Sequence, residues 1–95
     1  MEVRIFETPD AWSVSLEEFD HGLFATVPWN EAFRTEGRKP VYLDFMAEGH
    51  VVAKMAGFLL MHKLAVKRKL IFHAGPAPRP GEAAVIPQCL TALAR

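Results

Sequence analysis

The chain has 95 residues, 51% of them hydrophobic and 11% aromatic, which is enough for one core and too little for two, so residues 1–95 are read as a single domain. Eleven Lys plus Arg balance eleven Asp plus Glu, so no overall field draws the protein to nucleic acid or to an anionic membrane, and a polyanion contact has to be local. The one cysteine, Cys89, excludes an intrachain disulfide and any C-x-x-C site, and the acidic opening Met1 to Glu7 is neither a signal nor a transit peptide, so a cytoplasmic location is expected.

Val3 and Ile5 alternate with Arg4 as in a half-buried strand, which Thr8-Pro9-Asp10 ends. From Asp10 onward Trp12, Leu16, Phe19 and Leu23 recur at helical spacing. Ser15 to Glu18 resembles a capping box, and Gly22 is a terminator, so a first long helix is expected here. Pro28 in a first-turn position, with Trp29, Ala32 and Phe33 on one face and Gly37 as terminator, predicts a second, shorter helix.

Val41 to Met46 and Val51 to Met61 have the composition of strands, and the four-residue break Ala47 to His50 makes them an antiparallel hairpin. Val51 to Met61 contains Lys54 and is too short to span a membrane. Gly57 within it marks a bulge or a close backbone approach. Lys63 to Lys69 reads as a basic turn, Leu70 to Phe72 as a further strand, and the proline-rich Gly75 to Gly81 as an irregular surface loop. Ile86, Leu90 and Leu93 then share a helical face, with Pro87 in the first turn. The fold class is therefore α+β, a mainly antiparallel sheet with helices in the order β-α-α-β-β-β-α. Leu43, Phe45, Met55, Leu59, Trp12, Phe19, Phe33 and Leu90 are the expected core.

Several strings in this order resemble the N-terminal half of FemAB-like acyltransferases of the GNAT fold. Phe24 to Trp29 with Phe33 is similar to the family's entry into its short helix, and Lys39 to Leu43 to the strand after it. Val51 to Leu60 resembles the next strand, Lys67 to Pro76 the basic turn and strand ending in Gly-Pro, and Gln88 to Arg95 the start of the following helix. The resemblance implies transfer of an acyl or aminoacyl group to an amine, in some members from aminoacyl-tRNA. It also implies that these residues are half of the fold. The GNAT cofactor loop, a Gly-rich turn between a strand and a helix, has no counterpart here. The nearest string, Arg34 to Lys39, follows a helix and ends in Lys, which is a poor pyrophosphate cradle. No cofactor is expected for these residues alone. The expected partner is a complementary C-terminal half or a second copy of the chain, since absent strands would leave an open edge beside Leu70 to Phe72. The alternative is a non-catalytic, dimeric interaction module built on the half-fold.

The candidate sites are few. The four histidines are too dispersed for a metal, and His73, which follows a strand and precedes Gly75, is the one placed to act as a general base near neutral pH. Its plainer role is a half-buried ring at a strand end. Lys63, Lys67, Arg68 and Lys69 gather four basic side chains, candidate contacts for a phosphate or, in a complete family member, for tRNA. Without interleaved aromatic residues the plainer reading is a solvated turn. Cys89, with no basic partner nearby in sequence, is read as core packing.

Overall fold

The computed structural model describes residues 1–34, 38–61, 68–72 and 74–94, and these form an α+β domain with an antiparallel sheet. The hairpin is its centre. β2 (Arg38–Ala47) and β3 (His50–Met61) pair from Ala47 opposite His50 to Arg38 opposite Leu60. The turn is tighter than the expected four residues: only Glu48 (φ 53°) and Gly49 (φ 80°) lie outside the ladder. Two successive positive φ values match the right-handed twist of the flanking strands, and Gly adopts one of them without steric cost. β1 (Glu2–Phe6) lies antiparallel beside β2, and β4 (Arg68–Ile71) lies antiparallel beside the far end of β3, which gives the order β1-β2-β3-β4.

A bulge interrupts the hairpin. Phe45 pairs with Ala53 but Met46 with Val51, so Val52 is the extra residue on β3. Gly57 is instead a close approach. A Cβ there would stand 2.5 Å from both the Ile71 carbonyl oxygen and the Phe72 ring, so only glycine lets β4 lie this near.

Each face of the sheet has its own cover. On one, Leu43, Phe45, Ala53 and Met55 pack against Cys89 of α3 (Ile86–Leu93), with Val3, Phe72, Val85 and Leu93 around them. On the other, Trp12 and Leu16 pack on Tyr42 and Ala56.

Several expectations are corrected. The first long helix is absent: α1 (Asp10–Ser13) is a single turn, followed by short 3-10 turns at Leu16–Glu18 and Leu23–Ala25. A continuous helix would carry the chain away from the sheet. Instead the Asp20 amide donates to the Pro78 carbonyl (2.7 Å), Phe19 is extended and buried, and Leu23 is exposed. Glu18 completes no capping box, because its carboxylate pairs with Arg79 at 3.1 Å. α2 (Val27–Glu31) is the expected helix opened by Pro28, reduced to little more than a turn.

The proline-rich segment is not wholly irregular either. Ala77 and Pro78 form a two-residue strand, β5, against Lys54 and Ala53, and both are buried. Pro78 lacks an amide donor but offers its carbonyl, which is what Asp20 uses. Arg68 and Lys69, expected in a turn, belong to β4. Leu90 is 49% exposed, whereas Cys89 is fully buried, because α3 turns Val85, Cys89 and Leu93, four residues apart, toward the sheet. Leu43, Phe45, Met55, Trp12 and Phe19 are buried as expected, and Leu59 and Phe33 are half-buried.

Candidate functional site

β2 and β3 place Tyr42, Asp44 and Lys54 on the face covered by the N-terminal layer. Asp44 stands directly opposite Lys54 in the ladder, and both are buried. The Lys54 ammonium donates 2.8 Å to Asp44 Oδ1 and 2.8 Å to the Trp12 carbonyl. It also lies over the rings of Trp12 (5.3 Å) and Phe19 (5.6 Å), whose electron-rich faces attract a cation. The Trp12 indole in turn donates 2.9 Å to the Leu43 carbonyl and packs 4.8 Å from the Tyr42 ring. One tryptophan is thus fixed at its backbone, its ring nitrogen and its ring face.

Two residues along β2, Tyr42 donates 2.5 Å to Glu31 at the end of α2. Arg34 clasps the same carboxylate with two bonds (2.8 and 3.0 Å) and reaches the Glu7 carbonyl, while Lys39 pairs with the Glu7 side chain at 2.9 Å. The hydrogen bond from Arg34 is the main cause holding the Glu31 carboxyl below its ordinary range, opposed in part by burial. Burial first, and then the bond to Glu31, push the Tyr42 phenol well above its ordinary range. Tyr42 is therefore a neutral donor at physiological pH, unsuited to act as base or nucleophile. A short row of aromatic rings closes this end, with Phe24 4.8 Å from Trp29, Trp29 5.6 Å from Phe33, and Phe33 stacked 5.0 Å from Phe58 of β3.

These groups engage one another. Chemically, the arrangement fastens the N-terminal layer to the sheet and offers no activated nucleophile. On the opposite face a cleft of about 340 Å³ opens between Met1 and α3, lined also by Pro87, Gln88, Thr91 and Ala92, with no ionisable side chain among them. Among the described residues no three His, Cys, Asp or Glu side chains converge to hold a metal. No described helix is long and apolar enough to cross a membrane.

His73, Lys63 and Lys67 lie outside the described residues, and of Arg68 and Lys69 only their places in β4 belong to them. Burial pushes the Cys89 thiol above its ordinary range, which suits its role in packing. Sequence reasoning missed Glu31, Tyr42, Asp44 and Lys54. A charged pair inside two otherwise apolar strands was the one visible sign of the last two. Comparison with protein-family models, with curated proteins and with solved structures finds no match to this chain.

Proposed function

We propose that these residues form the N-terminal half of a FemAB-like acyltransferase of the GNAT fold, and that acyl transfer requires a second half that carries the donor. The observation that supports this reading is the coarse order of elements: one strand, a run of short helical segments, a hairpin, two further short strands and a last helix, with the strands in one antiparallel sheet. The resemblance implies this order apart from β5 and the breaking of the first helix into short turns. The helices present do not suit a pyrophosphate, since Pro28 and Pro87 remove amide donors from the first turns of α2 and α3. β4 is the edge at which strands of a second half would continue the sheet.

Calorimetric titration with acetyl-CoA tests the reading. The 95-residue chain is expected to give no saturable heat up to about millimolar ligand, a limit of roughly 4 kcal/mol. Micromolar binding that free CoA competes away would overturn it. The second reading, a non-catalytic dimeric interaction module, draws on the exposure of Ile5 (66%) and Leu70 (41%) near the two sheet edges.

A further inference from the structure

β1 bonds to β2 along one side, and among the described residues no other backbone group bonds to Glu2–Phe6. Its outer side is an open strand edge, a template for pairing with another strand. The side chains show which strand fits. Glu2 and Arg4 are exposed on the face of the N-terminal layer, Arg4 lying opposite Asp44 in the ladder. On the α3 face Val3 is half-buried, whereas Ile5 is 66% and Met1 45% exposed.

We propose that a second copy of this chain pairs with β1, antiparallel, about a two-fold axis at Val3. A two-fold axis between antiparallel edge strands keeps the faces of both sheets aligned, so each possible register is centred on a residue facing itself. Centring on Glu2 opposes Glu2 to Glu2, and centring on Arg4 opposes Arg4 to Arg4, each a like-charge contact. Centring on Ile5 sets Arg4 against Phe6 and Val3 against Glu7. Only the Val3 register sets Glu2 against Arg4, and it does so twice. On the α3 face the same register places Ile5 of each copy beside Met1 of the other, at the wall of the cleft between Met1 and α3. The most exposed hydrophobic side chain of the strand is thereby covered, and the two sheets become continuous. β1 lies at the edge opposite β4, so this pairing is compatible with either reading of the function.

Charge reversal tests the pairing. By sedimentation, the parent chain is expected to dimerise at micromolar concentration. Glu2→Arg alone, or Arg4→Glu alone, makes both cross-strand pairs repulsive, raising the dimer Kd at least about tenfold. An equimolar mixture of the two variants is expected to recover dimers that contain one chain of each. That recovery also shows that both variants fold. Val3→Cys is expected to cross-link across the axis on mild oxidation, since opposed residues have the spacing a disulfide needs, and Ile5→Cys is not. A monomeric parent, undiminished dimers in both single variants, or cross-linking through Ile5→Cys in place of Val3→Cys would each overturn the proposal.

Discussion

Lys54 and Asp44 meet 2.8 Å apart across the central hairpin, and the same ammonium holds the carbonyl of Trp12, 42 residues earlier. Inside a protein such a pair offsets its own desolvation only while both partners and the extra hydrogen bond remain. Lys54→Met leaves Asp44 buried without its cation. Urea denaturation of this variant is expected to show a loss of about 3–5 kcal/mol. The double variant Asp44→Leu with Lys54→Met is expected to recover most of the loss, since two apolar side chains leave no buried charge behind. A double variant as unstable as the single one would contradict this account.

Tyr42 is the one tyrosine of the chain, so tyrosinate absorbance reads this group alone. Its phenol is raised in the folded protein, so between the ordinary value near 10 and the raised one the folded state binds more protons than the unfolded state. The contribution is complete below about pH 10 and is lost as pH rises through the folded value. Tyrosinate is therefore expected to appear together with alkaline unfolding and not before it. In Tyr42→Phe, stability should fall less steeply over the same alkaline range.

Gly57→Ala forces a methyl group against the Ile71 carbonyl and the Phe72 ring. The obstacle is partly backbone, so relief requires β4 to move. The expected cost is about 1–3 kcal/mol in chemical denaturation, with faster amide exchange in β4 than in β1.

Cys89 is the one thiol of the chain and is fully buried. Its modification by a disulfide-exchange reagent should follow opening of α3, at least about a hundredfold slower in native buffer than in denaturant. Rapid labelling of the native protein would show that α3 does not hold the position described.

The hairpin was legible in the sequence because a Glu-Gly turn between two β-branched and aromatic runs admits only an antiparallel return. The polar pair was not, and the bulge is the reason. Counting outward from the Glu48-Gly49 turn sets Asp44 opposite Ala53 and leaves Lys54 on the other face. Val52, inserted by the bulge, shifts the register by one residue and brings Lys54 across to Asp44. The first helix failed for a comparable reason. Trp12, Leu16 and Phe19 are spaced as in a helix, but what orders them is a sheet carrying partners for each, and Phe19 reaches Lys54 and Arg79 (4.5 Å) from an extended segment. On α3, the apolar spacing of Ile86, Leu90 and Leu93 concealed a small sulfur side chain that fits closer to the strands than a leucine would.

The attachment of Trp12 also bears on how the chain is made. Both of its hydrogen-bond partners, the Leu43 carbonyl and the Lys54 ammonium, are encoded well after it. On the ribosome, Trp12 and Phe19 are translated before the hairpin exists, so neither ring has the sheet to close upon until β3 has emerged. For that interval the nascent chain displays two large aromatic rings that the finished protein buries.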